Sequence, residues 1–389
     1  IFMLMSLNYL PYFEYYLFNL TNFFFLIFLI YFIIFEIYKR DKKNDNISRI
    51  FLFLVLILFL AKFSRLAEYG SDVAAKIIIS VYFYFILEIL FNKNIKIQTS
   101  EKYLQLSVIL IVFASTLKFI FVIYSVFFII IFLKNKKNFF NQILKFNFII
   151  LIFPMILFYI FFNFSSTGCF LYPVKQTCLS NYFDWSLSFE IVDYMNLHYE
   201  TWAKGGKGPN FNVNDPLNYI SSFNWLSNWI DVYFFNKVSD FLLGLGFLLI
   251  IFFLFFRQKN KNKVKNKIHY KVLMIILILY LLEWFLKHPA LRYGGYHLIA
   301  ILFFIPLSIW FNNLSINFNL FYKKVIVILL ITITIFFLRN YIRINNENDL
   351  YGKNSLLNYE YNFNKSFFNR YVTEINNNKE KYGEFNFLG

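Results

Sequence analysis

Long apolar segments separated by short polar loops run along nearly the whole chain. A helix needs roughly 20 apolar residues to cross the hydrocarbon core of a membrane. The candidate segments are residues 21–38, 50–63, 74–91, 104–116, 119–133, 146–164, 239–256, 272–286, 297–311 and 325–338. Because the bilayer leaves no water for backbone groups, such segments must be helices. The sequence therefore predicts an all-α, polytopic transmembrane bundle of about ten helices.

Composition excludes a soluble globular protein and argues against a nucleic-acid partner. Hydrophobic residues make up 59% of the 389-residue chain. A formal net charge of +16 would suit a nucleic-acid binder. However, the basic residues collect beside apolar segments, where the preference of Lys and Arg for cytoplasmic loops explains them. We expect membrane lipids, and no nucleic acid, as partners.

Lysine and arginine crowd every second loop, and this predicts the orientation of the chain. The dense loops follow residues 38, 91, 133, 256 and 311, and we assign them to the cytoplasm. The predicted organisation has N-terminal helices (1–163), an extracytoplasmic loop with short helices (164–238), C-terminal helices (239–339) and a polar extracytoplasmic tail (340–389). Ten helices in this order put the N terminus outside, which predicts that a preceding helix is missing.

The first group of ionisable residues lies in the short loop at residues 64–73, and consists of Arg65, Glu68 and Asp72. A carboxylate here could act as a general base or bind a divalent cation such as Mg²⁺ or Mn²⁺, and Arg65 could hold a phosphate. The alternative is a solvated loop with a local Arg–Glu pair. The shortness of the loop keeps its charges against the bilayer surface under either interpretation.

Lys118 is the second candidate because apolar residues flank it on both sides. A charge inside a membrane is costly, so Lys118 must reach the interface, a polar cavity or an anion. Snorkelling to the surface is the alternative. Ser115, Thr116 and Lys118 at the centre of residues 104–133 favour two short helices over one long tilted helix.

The long loop at residues 164–238 holds both cysteines of the chain. Cys169 and Cys178 lie nine positions apart on the predicted oxidising side, which favours a disulfide over two free thiols. Zinc is not expected, since none of the four histidines has ligand spacing.

Lys204 and Lys207 belong either to a flexible basic loop that approaches a phosphate or to a plain turn. Further along, Trp225, Trp229 and Tyr233 at four-residue spacing predict an interfacial helix lying on the bilayer.

Arg292 is the last candidate, in a Pro- and Gly-rich turn between two apolar segments. An Arg fork suits phosphate and carboxylate groups, whereas the Pro and Gly residues need only end a helix. All these groups fall on one predicted side. The cations that would ring an outward-facing cavity are Arg65, Lys118, Lys175, Lys204, Lys207 and Arg292, alongside Glu68, Asp72 and Asp184. That mixture suits a phosphorylated lipid with a polar group.

Four stretches together resemble the GT-C class of integral membrane glycosyltransferases, of the bacterial type that builds cell-envelope polysaccharide. They are Arg65-Leu-Ala-Glu-Tyr-Gly-Ser-Asp72, the short span with Lys118, Gly168-Cys-Phe-Leu-Tyr-Pro with Cys178 and Asp184-Trp-Ser, and Pro289-Ala-Leu-Arg-Tyr293. The resemblance implies a polyprenyl-phosphate-linked sugar donor, a glycan or lipid acceptor, and inverting transfer at the outer face of the inner membrane.

The resemblance also implies roles for residues. Asp72 matches a second acidic position of that class, so Asp72 or Glu68 would assist catalysis. The substrate-binding set would be Arg65, Lys118, Tyr172, Asp184, Lys204, Lys207, Arg292 and Tyr293. The class places its main catalytic Asp in an earlier external loop. The chain begins with residues that resemble the end of that loop, so we expect this Asp to be absent and the sequence to be N-terminally truncated.

Two other functions fit parts of the pattern. An O-antigen or polysaccharide polymerase or ligase would also use outward-facing Arg residues, but with an oligosaccharide on a pyrophosphate. A transporter or flippase would need ionisable groups near the bilayer midplane, for which Glu88, Glu283 and Lys118 are the candidates. The collection of charges at one face favours the glycosyltransferase.

Overall fold

The computed structural model describes residues 20–39, 47–61, 72–92, 95–134, 136–208, 211–255, 267–312 and 318–351. The chain forms two compact units, Ile1–Leu329 and Leu330–Gly389. All contacts described below belong to the first unit. The described part of the second unit is the continuation of one long helix.

The described residues are mainly helical, as predicted. In chain order, the helices are α1 (Leu20–Lys39), α2 (Ile47–Ala61), α3 (Asp72–Phe91), α4 (Ile97–Leu117), α5 (Phe128–Lys134), α6 (Lys136–Ile143), α7 (Phe146–Thr167), α8 (Phe189–Ala203), α9 (Pro216–Ile220), α10 (Leu226–Trp229), α11 (Ser239–Phe255), α12 (Lys267–Lys287), α13 (Tyr296–Asn312) and α14 (Phe318–Tyr351). Two 3-10 segments, Phe119–Phe127 and Lys175–Thr177, a π-helical segment, Ile230–Val238, and a turn, Leu291–Gly295, join them. A short antiparallel ladder pairs β1 (Lys207–Gly208) with β2 (Phe211–Asn212).

Every predicted apolar segment coincides with a helix over the residues described, but the helices differ in length. Within the described residues, five are long and apolar enough to cross a membrane: Asp72–Phe91, Ile97–Leu117, Phe146–Thr167, Ile268–Lys287 and Leu291–Asn312. A sixth span results if the bent pair Leu226–Phe235 and Ser239–Phe253 crosses as one unit. These helices indicate a membrane protein. The expected count of ten is not confirmed, because the apolar stretches Asn22–Glu36, Ile47–Leu60 and Phe119–Lys134 fall short of this length.

Helices α3 and α13 form the centre of the first unit. Most residues of α3 are apolar, and nearly all of its residues are buried against α1, α2, α4 and the first 3-10 segment. By contrast, only 11% and 17% of the most apolar stretches of α7 and α12 are buried. A helix that is apolar on every face is buried either by protein or by lipid. The two central helices therefore form the protein core, and the exposed helices have the surface expected of lipid contact.

The chain breaks at Lys118, as predicted from its polar neighbours. Helix α4 ends at Leu117, Lys118 is extended, and a 3-10 helix of nine residues starts at Phe119. With three residues per turn, such a helix aligns side chains at every third position. Phe121, Tyr124 and Phe127 accordingly form one buried row in which neighbouring rings stack 5.9 and 6.2 Å apart. This row fixes the direction in which the chain leaves Lys118.

The predicted interfacial helix is wrong. Trp225, Trp229 and Tyr233 do share one face, but that face is buried inside the protein. Trp225 and Trp229 both pack on the ring of Phe285 at 5.4 Å, and the indole nitrogen of Trp229 donates a hydrogen bond to the carbonyl of Pro289. Four-residue spacing identifies a face of a helix and does not distinguish a lipid partner from a protein partner.

Candidate functional site

Asp72 lies at the start of α3 and forms two ion pairs. Its Oδ1 is 2.5 Å from Nζ of Lys118, and its Oδ2 accepts a hydrogen bond from Nε of Arg292 at 2.9 Å. The carboxylate and Lys118 are largely buried, whereas the Arg292 side chain is 52% exposed. One half-enclosed carboxylate therefore joins three segments that are far apart in sequence.

Local structure explains how the two cations reach Asp72. Lys118 extends from the break between α4 and the 3-10 segment, where its backbone lies outside any helix. Arg292 lies in a turn in which Gly294 has a φ of +91°, a conformation that favours glycine. Gly295 packs so closely on Trp284 that a Cβ would come within 2.4 Å of the indole ring. The glycines thus let the turn approach the core and place Arg292 beside α3.

Tyr293 connects this cluster to an aromatic crevice. Nζ of Lys118 lies 4.6 Å from the centre of the Tyr293 ring, which also packs against Trp202 and His288 at 5.8 Å each. On its other side Tyr293 lines a crevice. The lining residues include Tyr124, Tyr280, Glu283, Trp284 and Gly294. The crevice is partly open, and its volume of about 20 Å³ suits roughly one water molecule.

Three described cations act on the Asp72 carboxylate. Lys76 follows Asp72 by one turn of α3 and interacts electrostatically with its carboxylate, while Lys118 and Arg292 pair with it directly. Three cations thus surround one carboxylate. Lys and Arg groups in a partly desolvated setting attract and hold phosphate or carboxylate groups. The arrangement can accept an anion that takes over partners from Asp72.

A second group of charges is centred on Glu200 of α8. Its Oε1 lies 2.7 Å from Nζ of Lys204 and 3.8 Å from Nζ of Lys287, which comes from the end of α12. Trp202 of the same helix packs on Tyr293, so this pair of rings connects the Glu200 group to the Asp72 cluster. Burial lowers the pKa of the nearby His288 imidazole, and the charge of Glu200 opposes this shift.

Residues 1–299 match the protein family described as a domain of unknown function, DUF8201. The chain belongs to this family. The matched region contains Asp72, Lys118, Arg292 and the whole long loop. Neither a curated protein nor a solved structure shows a significant match to the chain.

Within the DUF8201 region, the structure corrects the interpretation of Lys204 as part of a flexible basic loop. Lys204 is only 3% exposed, and the carboxylate of Glu200 balances its charge. The Nζ of Lys204 also lies 5.1 Å from the centre of the Trp225 ring. The hydroxyl of Tyr219 donates a hydrogen bond to its backbone carbonyl. Lys207 is half-buried, with Nζ 3.1 Å from Nδ1 of His198. Neither lysine contacts the Asp72 cluster among the described residues.

Other predicted site residues of this DUF8201 member lie in the segment that holds the disulfide. Cys169 and Cys178 are joined in a disulfide, and Tyr172 packs against it. Lys175 pairs with Asp193 at 2.6 Å. Asp184 is exposed. Among the described contacts, none connects these residues to the Asp72 cluster, so the structure does not gather all the predicted substrate-binding residues into one cavity.

Arg65 and Glu68 lie outside the described residues. Within the residues that the structure does describe, no group of three or more His, Cys, Asp or Glu side chains is arranged to hold a metal ion. Sequence reasoning missed Glu200 and Lys76. Their signal was their spacing, since each lies four residues from a residue that was singled out, Lys204 and Asp72 respectively, and therefore on the same helix face.

Glu88 and Glu283, the residues considered for a transporter, have different surroundings. Glu88 is buried and accepts hydrogen bonds from Ser48 and from Asn92, the latter at 2.8 Å. Glu283 lines the aromatic crevice beside Tyr293. They therefore lie in separate settings, one in the helix core and one beside the Asp72 cluster.

Proposed function

We propose that this protein is a membrane-embedded glycosyltransferase that moves a sugar from a polyprenyl-phosphate donor to an envelope glycan or lipid acceptor. The proposal rests on the two ion pairs that Asp72 forms with Lys118 and Arg292, next to the crevice that Tyr293 lines. Cations at the ends of apolar helices are suited to a ligand whose phosphate lies at the interface and whose chain lies in lipid.

The proposal includes a topology. All ten apolar segments lie in the membrane, the shorter ones at thin or protein-lined places, and the loop at residues 164–238 faces the outside of the bacterial inner membrane. The alternation of Lys and Arg supports this orientation. The meeting of Asp72, Lys118 and Arg292 supports it as well, because each comes from a segment with the same predicted side.

The chemistry follows from the charges. The acceptor oxygen forms a bond to the anomeric carbon, and the bond from that carbon to the phosphate oxygen breaks. Its electron pair leaves with the phosphate, where Lys118 and Arg292 stabilise the developing charge. The acceptor proton goes to a carboxylate, for which Asp72 and Glu68 are the candidates in this chain. Before the donor binds, Asp72 is ion-paired with both cations, so the donor phosphate must displace the Asp72 carboxylate.

Transfer assays test this function directly. The purified protein in lipid vesicles receives a panel of tritiated hexoses, each on undecaprenyl phosphate, together with envelope glycolipid acceptors. We expect sugar transfer that falls by roughly 10²–10³-fold in Arg292→Ala, since removal of one group that stabilises transition-state charge has effects of this size. Arg292→Lys should retain part of the activity because it keeps the charge without the fork.

Lys145→Ala is the matched control. Lys145 is an exposed cation whose pair with Glu101 has a 4.0 Å separation, and it lies in one of the loops dense in lysine. Transfer should be unchanged in this variant. Normal transfer by Arg292→Ala would overturn the role of the cluster. Discharge of oligosaccharides from undecaprenyl pyrophosphate, with none from the monophosphate donors, would replace the proposed function with that of a polymerase or ligase.

A further inference from the structure

The segment at residues 168–187, which contains the disulfide, presents an exposed cluster of aromatic rings. Phe170, Tyr182, Phe183 and Trp185 are between 40% and 80% exposed. Phe170, Phe183 and Trp185 contact the ring of Phe164 at 5.3, 5.8 and 5.3 Å. We call Phe164, Phe170, Tyr182, Phe183 and Trp185 the aromatic patch. Soluble surfaces do not normally display rings in such a group.

The patch is fixed rigidly to the end of α7. Helix α7 ends at Gly168, which has a φ of +72°, and the amide of Leu187 donates a hydrogen bond to the carbonyl of Thr167. The amide of Leu179 bonds the carbonyl of Gly168, and the disulfide joins Cys169 to Cys178. The rings therefore keep their position relative to the helix.

The patch continues the exposed apolar surface of α7. This helix is long and apolar enough to cross a membrane, and only 11% of its most apolar stretch is buried. Phe161 and Phe162 in its last turns are exposed. Phe164 belongs both to α7 and to the patch, so the two surfaces meet at this ring. Aromatic rings are enriched where membrane spans meet water, because one part of the ring is apolar and the other can face headgroups.

The depth of insertion is limited by Asp184. It is exposed and lies between two rings of the patch, Phe183 and Trp185. A carboxylate in the hydrocarbon core is costly, so Asp184 must stay hydrated at headgroup level. The neighbouring rings can then reach only the boundary between headgroups and acyl chains.

We propose that the aromatic patch binds the lipid interface and holds the long loop against the membrane. The occupant is the headgroup–acyl boundary of the bilayer in which α7 lies. The proposal does not depend on the reaction that the protein catalyses.

Fluorescence quenching by lipids tests the proposal. The protein is reconstituted in phosphatidylcholine vesicles brominated at either a shallow or a deep acyl position, and Trp185 is isolated as the difference between the protein and Trp185→Phe. A ring about 5–10 Å below the surface should lose roughly half or more of its emission to the shallow bromines. The deep bromines and aqueous iodide should each quench it less.

Trp225→Phe provides the matched control. Trp225 is 1% exposed, so its difference signal should resist all three quenchers. If Trp185→Phe does not fold, Phe170→Trp adds a reporter on the same patch. Strong quenching of the patch reporter by iodide, without quenching by shallow bromines, would overturn the proposal. Resistance to both would also overturn it, because another protein surface would then cover the patch.

Discussion

One ion-paired cluster joins Asp72, Lys118 and Arg292. Sequence reasoning selected all three because an ionisable group between apolar segments needs a partner. It could not show that they are one another's partners. Their separations of 46 and 220 positions carry no signal of contact. The pairing depends on a helix break and a glycine turn that bring three segment ends together.

Lys204 shows the opposite error, because a residue that looked exposed in sequence is buried. We expect Lys204→Ala to lower the free energy of unfolding by roughly 1–3 kcal/mol, since among the described residues it leaves Glu200 with the more distant Lys287 alone. Thermal unfolding in detergent measures the change. Lys175→Ala removes an exposed pair and should change stability by no more than about 0.5 kcal/mol. Equal effects of the two substitutions would contradict the account.

His288 gives a pH dependence. Burial lowers the pKa of its imidazole below the ordinary value of about 6.5, and the charges of Lys287, Lys204 and Lys118 act in the same direction. Between these two pKa values the unfolded chain binds a proton that the folded protein does not, so stability should fall as pH decreases below about 6.5. His288→Gln should reduce this slope, as measured by unfolding temperature from pH 8 to pH 5. An unchanged slope would exclude His288 as its source.

At the scale of elements, the helices were predictable and their partners were not. Hydropathy located the apolar segments, and the polar residues around Lys118 indicated the break. The 3-10 geometry after the break was not predicted, although Phe121, Tyr124 and Phe127 carry its three-residue period in the sequence. Hydropathy alone also failed to separate the buried α3 from the exposed α7, because their mean hydropathies are similarly high, 2.0 and 2.3.

The junction of α7 with the disulfide segment depends on Gly168. A Cβ at this position would lie 2.2 Å from Oγ of Ser186, and the backbone has a φ of +72°. Gly168→Ala should therefore destabilise the protein by about 2 kcal/mol or more. Gly244 of α11 has open space around it, so Gly244→Ala should be neutral or stabilising by about 0.5–1 kcal/mol. Thermal unfolding of both variants compares them, and a Gly168→Ala protein as stable as the parent would contradict the packing described.

At the scale of the whole molecule, the Asp72 cluster and the aromatic patch are separate features. The Asp72 cluster joins the ends of three segments through ion pairs, whereas the aromatic patch extends the apolar surface of α7. The sequence predicted one ring of cations around one cavity. The structure instead divides the described ones among the Asp72 cluster, the Glu200 group, the Lys175–Asp193 pair and the contact of Lys207 with His198. Among the described residues, the Asp72 cluster joins three segments next to the Tyr293 crevice, which is why the proposed donor site is placed there.

The most direct test of the account is whether the Asp72 cluster recognises a lipid phosphate. Native mass spectrometry of the protein with undecaprenyl phosphate and with undecaprenol isolates the contribution of the phosphate. Charge-assisted hydrogen bonds contribute roughly 1.5–3 kcal/mol each, so we predict that the phosphate lipid binds at least about tenfold more tightly and that Arg292→Ala removes most of this preference. Equal affinity for the two lipids, or a preference that survives in Arg292→Ala, would contradict the account.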